Sequence, residues 1–261
     1  MAARAIWKGV IRFGSASVPV KLYAAVEDHS IRFRLLHEKD KVPVKQRMVD
    51  PTTGEVVEWA DAKKAYPISR NRLVILDDED LAKLEPEDSR DIEITRFVDT
   101  AEIDHRWYER AYSLGPDAGS AAYFALAEAL ATQGKEGVAR WTMRKKSYIG
   151  ALRADVDGYL MLIVLRHADE VIVAEDVPAP EGRALNKREV EMAAQLVEAL
   201  TGEFDPSAFR DEYRERVLEL VETKAKGGKV KVRKFRPKKG TEEDLDDVLA
   251  ASLKGLKKKA G

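Results

Sequence analysis

A mainly β chain with α elements is the fold class this sequence predicts, and three observations carry it. Val138 to Arg144 alternates, with Ala139, Trp141 and Met143 on one side and Arg140, Thr142 and Arg144 on the other. That period of two marks a strand with one buried and one wet face. Tyr159 to Leu165 is apolar at every position, as expected of a strand covered on both sides or closed into a barrel. Beyond residue 182 the pattern changes to helical spacing, and from Lys224 to Lys239 it becomes cationic with no acid. The core therefore precedes a helical arm and a basic tail.

Taken in order, Ile6 to Gly14 sets Trp7, Gly9, Ile11 and Phe13 against Lys8, Val10 and Arg12, a first strand. A second carries Val18, Val20, Leu22, Ala24 and Val26 on one face; Pro19 cannot donate to a ladder and marks that end as an edge. A third, Ile31 to His37, is expected to turn Ile31, Phe33 and Leu35 inward and Arg32 and Arg34 outward. Glu38 to Asp61 has little from which to build a core. It carries Lys39, Lys41, Lys45 and Arg47 and a hairpin signal at Asp50-Pro51-Thr52-Thr53-Gly54, so it reads as an extended β-arm or a flexible surface loop.

Leu73 to Leu76 returns to strand character. Asp77-Asp78-Glu79-Asp80 does not converge as a metal cluster would; an N-cap at Asp77 and acids in the first turn of a helix ending before Pro86 account for it. Asp91 to Val98 is a strand, and Ile103 to Leu114 holds Trp107, Tyr108 and Tyr112. Ser120 to Gln133 is an Ala-rich helix stopped by Gly134. In the central meander a polar break falls at Lys145, Lys146 and Ser147, a strand follows from Tyr148 to Arg153, and Asp155 to Gly158 turns the chain into the apolar strand. One wet face is then expected to show Arg140, Arg144 and Lys146 at every second residue. Such a row suits backbone phosphates or is simply a solvated face.

Pro178 to Gly182 is a linker. Asn186 and Glu189 form a capping-box pattern ahead of a helix with Val190, Ala193, Val197 and Leu200 on one stripe. Asp205-Pro206 opens another, with Phe209, Tyr213, Val217, Leu220 and Val221. The pair is expected to pack on the body or on a second copy. The tail holds Lys229, Lys231, Arg233 and Lys234, then an amphipathic stretch with Leu245, Val248 and Leu249, either seated in a partner's groove or half-formed in solution. The expected division is a core over 1–177 with an arm at about 38–65, a helical arm over 178–223, and a tail over 224–261.

A net charge of −1 over 261 residues says nothing about partners; only the distribution can. The absence of cysteine removes disulfides and thiolate metal sites and fits a cytoplasmic setting. No apolar run reaches membrane-spanning length. The four histidines show no metal-ligand spacing on one element, and there is no phosphate loop or nucleophile elbow. His167 beside Asp169 and Glu170 fits general-base work or ordinary turn hydrogen bonding. The chain reads as a binding protein that is not an enzyme, with no cofactor and no metal.

Arg4-Ala5-Ile6-Trp7-Lys8-Gly9-Val10-Ile11-Arg12-Phe13-Gly14, followed by Val18-Pro19-Val20-Lys21-Leu22-Tyr23, closely resembles the start of the prokaryotic Ku family. The resemblance continues through Phe33 to His37, Tyr112 to Pro116, Leu165 to Glu170 and Phe204-Asp205-Pro206, and covers roughly residues 4 to 226. His167 stands where the family more often has Tyr, which weakens a catalytic role. The resemblance implies a β-barrel core with a projecting β-arm, or bridge, in a homodimeric ring that binds double-stranded DNA ends without sequence specificity. It also implies recruitment of an ATP-dependent multifunctional DNA ligase for non-homologous end joining, in a nucleoid-associated, cytoplasmic setting. Lys39, Lys41, Lys45 and Arg47 would then fall in the bridge, and Arg140, Arg144, Lys145 and Lys146 beside it on the barrel. A non-specific architectural DNA-binding protein without end preference is the alternative.

Overall fold

The computed structural model describes residues 4–172 and 186–227, together with Leu249. The chain divides into two compact units, Met1–Val177 and Pro178–Gly261. The first is built on a closed barrel of seven strands in the order β1-β2-β8-β11-β10-β9-β7. These are β1 (Trp7–Phe13), β2 (Ala16–Ala24), β7 (Asp91–Asp99), β8 (Tyr108–Pro116), β9 (Lys135–Met143), β10 (Lys146–Ala154) and β11 (Leu160–Leu165). Every neighbouring pair is antiparallel except β1 and β7, which run parallel and close the barrel.

Alternation in the sequence becomes burial in the barrel. Ile11, Val18, Val20, Leu22, Ile92, Ala139, Leu152, Leu160 and Leu162 are buried in one cluster with Trp141 and Met143. Each buried large aliphatic side chain contributes about 1.5–3 kcal/mol relative to exposure. Helix α2 (Ser120–Gln133) joins this core through Tyr123, Leu126, Ala127 and Leu130. The Tyr123 hydroxyl donates to the Leu114 carbonyl at 2.6 Å and accepts the Leu160 amide at 2.7 Å, tying the helix to β8 and β11. The α2 helix stops where Gly134 takes a left-handed conformation. The Asp155 carboxylate accepts from the Asp157 and Tyr159 amides and Gly158 has positive φ, forming the expected turn before β11.

Pro19 lies at the end of β2 that is paired on one side only, as its missing donor predicts. It faces Val10 within the β1–β2 ladder, and β2 pairs with β8 from Val20 onward, so the missing donor falls where the second ladder has ended.

Between β2 and β7 the chain leaves the barrel as an arm. It contains two short hairpins, β3 (Met48–Val49) with β4 (Val56–Val57), and β5 (Lys64–Ser69) with β6 (Arg72–Leu76), followed by α1 (Asp78–Lys83). The β3–β4 turn follows the Asp50 to Gly54 signal: Asp50 accepts from the Thr52 and Thr53 amides and Gly54 has positive φ. Ile31 to His37 is not a core strand. Phe33 and Leu35 are 67 % and 68 % exposed, and the segment's one ladder contact is an isolated bridge between Leu36 and Pro43. The alternation there belongs to the arm.

In the second unit α3 (Lys187–Leu200) starts at the expected capping box: Asn186 accepts from the Arg188 amide, and Glu189 accepts from the Asn186 amide. Asp205-Pro206 starts only a single 3-10 turn, Pro206–Ala208. The next helix, α4 (Glu212–Ala225), is capped afresh by Asp211, whose carboxylate accepts from the Arg214 amide at 2.9 Å. Phe209 therefore lies outside the helix, stacked on Phe204. Among the described residues no helix is long and apolar enough to cross a membrane.

Candidate nucleic-acid interface

The β9–β10 hairpin places the central cations. Ala139, Trp141 and Met143 enter the core, so Arg140 and Thr142 lie on the face away from it. Trp141 stacks on its cross-strand neighbour Tyr148, with ring centroids 5.3 Å apart. Its indole occupies the space over Gly150, where an added Cβ would come within 2.7 Å of the ring. The hairpin is thereby rigid behind its tip.

The tip is a two-residue turn, Arg144–Lys145, with φ of 52° and 62°. This geometry favours Asn-Gly, and each ordinary side chain held there costs about 1–2 kcal/mol. Here both positions carry long cations instead. The expected break at Lys145, Lys146 and Ser147 is thus displaced by a residue, because Lys146 and Ser147 pair with Met143 and Thr142 inside the strand. The expected single row is also revised. Lys146 shares the face of Met143, its partner, while Arg140 lies on the opposite face and Arg144 in the turn.

Among the described residues Arg140, Arg144 and Lys146 make no ion pair. Lys145 does: its ammonium lies 2.7 Å from a Glu85 carboxylate oxygen. That hydrogen bond and the Glu85 charge raise the Lys145 pKa.

Arg140 also lines an open cleft of about 770 Å³, with Arg12, Asp91, Glu93, Thr142 and His167 around it. The Arg12 guanidinium meets Asp91 at 2.7 Å, so the cleft is mixed in charge. His167 caps a short turn in which Glu170 accepts from the His167 amide at 2.7 Å and approaches its ring at 3.3 Å. That amide bond is the main reason the Glu170 pKa is lowered. Hydrogen bonding within the turn accounts for the pair. Nearby, Glu136 is fully buried: it accepts from the Tyr108 hydroxyl at 2.8 Å and pairs with Arg153 at 3.3 Å.

The arm carries its own cations. Lys39 and Lys41 sit in the tight turn that the Leu36–Pro43 bridge closes, Lys41 with φ of 60°, while Lys45 and Arg47 lead into β3. All four are exposed and none makes an ion pair among the described residues. Asp77 and Asp78 instead engage Lys63 at 3.6 Å and Lys64 at 2.9 Å. The acids in the first turn of α1 are as expected, but Asp77 makes no side-chain cap. Lys229, Lys231, Arg233, Lys234, Leu245 and Val248 lie outside the described residues; Leu249 is helical.

Glu85 was not legible as part of this surface. It is 60 positions from Lys145 in sequence, and one acid among Glu85, Glu87 and Asp88 carries no local signal of its partner.

The sequence that builds this barrel and arm is matched by known proteins. The profile described as the Ku70/Ku80 beta-barrel domain covers residues 12–192. The chain belongs to the Ku family. A Ku from Mycolicibacterium smegmatis, called non-homologous end joining protein Ku, is 36 % identical over 97 % of this chain and 83 % of its own length. Non-homologous end joining protein Ku 2 of Geotalea uraniireducens is 37 % identical over the whole of both chains. The Bacillus subtilis Ku is 35 % identical over 94 % of this chain and 79 % of its own.

Proposed function

We propose that two copies of this chain close a ring around duplex DNA at a broken end and act there as a scaffold in non-homologous end joining. The observation that carries this reading is the arm: a long excursion from a Ku barrel on which Lys39, Lys41, Lys45 and Arg47 make no ion pair among the described residues and large apolar side chains are exposed. Phe33, Leu35, Trp59, Tyr66 and Ile75 are all exposed. Apolar area of this kind on a projecting element suits an interface between copies. Lys39, Lys41, Lys45 and Arg47 on the arm, with Arg144, Lys145 and Lys146 on the barrel hairpin, then provide phosphate contacts.

Phosphate contacts hold position without reading sequence, which suits a protein that must accept any end. A threaded ring leaves only by sliding off an end, so retention exceeds what the contacts alone supply. In this reading the chain acts as a scaffold, and the amphipathic Leu245, Val248 and Leu249 are the surface for an ATP-dependent DNA ligase. Competition between linear and covalently closed duplex tests the reading. Linear DNA binds and closed circles of equal mass compete poorly; equal competition refutes threading and favours an architectural coat.

A further inference from the structure

We propose that Glu85 occupies the place of a DNA phosphate on Lys145, so that loading of DNA exchanges an internal carboxylate for the nucleic-acid backbone. This rests on the reading of the β9–β10 turn as DNA-facing and adds to it a competing group within the chain. The turn holds Arg144 and Lys145 in left-handed backbone, a conformation that persists when surrounding structure and function require it. Its two flanking cations, Arg144 and Lys146, make no ion pair among the described residues, whereas Lys145 is held at 2.7 Å.

The holder belongs to a particular segment. Glu85 lies between α1 and β7, on the return limb of the arm. The C-terminal end of that limb is fixed to the barrel: the Arg90 carbonyl accepts from the Val10 amide at 2.8 Å, and Gly9 leaves room for it. At the other end of α1, Asp77 and Asp78 grip Lys63 and Lys64 of the arm. A short acidic strut thus runs from the arm to the barrel hairpin, and its last contact sits on a cation that DNA would claim. Both partners are partly solvent-exposed, so a phosphate can displace the carboxylate without burying it. Release of Glu85 removes the ion pair between this limb and the hairpin as DNA enters.

The test is a double-mutant cycle on the full chain with linear duplex, binding being measured across a salt series. Glu85→Gln is expected to tighten binding by roughly 1.4- to fivefold, the range an exposed ion pair spans, without changing the salt slope. Lys145→Gln is expected to weaken binding and reduce the slope by about 0.9. In the Lys145→Gln background the Glu85→Gln gain is expected to vanish, because its target is gone. If Lys145→Gln reduces the slope but Glu85→Gln gives no gain, or gives the same gain in both backgrounds, the exchange is overturned and the DNA-facing turn stands. If Lys145→Gln and Arg144→Gln both leave binding unchanged, the DNA-facing turn itself is wrong and the exchange falls with it. Matching thermal melts confirm that each variant is folded.

Discussion

Arg12 and Asp91 meet at 2.7 Å across the one parallel pairing in the barrel. Arg12 lies near the end of the first strand and Asp91 is the first residue after the arm returns, so the pair marks the seam at which the barrel closes. The arm departs from β2 and comes back at β7, the two strands that flank β1. The insertion therefore does not interrupt the β8–β11–β10–β9 ladder. The meander and seam form a rigid mount for a long exposed element.

The seam pair itself contributes little energy. Both partners are about half exposed, and such pairs are worth roughly 0–1 kcal/mol. Arg12→Ala is expected to lower stability by less than about 1 kcal/mol, whereas Leu162→Ala, at a fully buried site, costs about 2–5 kcal/mol. Urea denaturation with a common m-value separates the two. Equal losses would mean the seam, not the core, governs unfolding.

The arm should matter to assembly and not to the barrel's cohesion. Leu35→Ser and Trp59→Ser remove apolar surface that is 68 % and 81 % exposed in the single chain. Sedimentation should show these variants shifted toward monomer while denaturation of the barrel is unchanged. Wild-type dimerisation in the double variant would remove the arm from the interface.

Salt dependence reports phosphate contacts. Arg144→Gln and Lys146→Gln are each expected to reduce the log–log slope of duplex affinity by about 0.9, uniformly across DNA sequences. A change in sequence preference with an unchanged slope would point to base contacts instead.

Alkaline stability should depend on Tyr108. Burial first, then the hydrogen bond to Glu136 and that residue's charge, push its pKa from 10.0 to about 12. The neutral phenol is thus favoured in the folded state: its contribution is complete below pH 10.0 and is lost as pH rises toward about 12. Tyr108→Phe is expected to flatten that alkaline decline. It should also cost about 1–3 kcal/mol near neutrality, because a fully buried carboxylate loses its donor. Melting temperature against pH measures both.

The tail should separate two roles. Deleting 224–239 is expected to weaken DNA retention and reduce its salt dependence, since nine cations leave with it. Polar replacement of Leu245, Val248 and Leu249 should leave DNA binding intact and reduce ligase stimulation. Unchanged stimulation would exclude these residues as the docking surface.

Much of the barrel was legible because its rules are local. Period-two burial identified β9, four turn residues located the Asp155–Gly158 reversal, and Asn186 with Glu189 fixed the start of α3. The errors share a cause. Alternation at Ile31 to His37 reports a two-faced segment but not what covers either face, and among the described residues Phe33 and Leu35 stay about two-thirds exposed. Asp205-Pro206 carried a true start signal, but Asp211 supplies the cap from which α4 begins. The cation row failed at the hairpin turn: its Arg144–Lys145 geometry decides which face Lys146 takes, and neither residue type announces positive φ. The Glu85–Lys145 contact depends on barrel closure and arm return together, beyond the reach of any local pattern.

The two feet of the arm stand on either side of β1, joined to it by a ladder along its whole length on the β2 side and by three residue pairs on the β7 side. Tension on the arm directed along β1 is therefore borne in shear by many backbone bonds at once instead of peeling them apart singly.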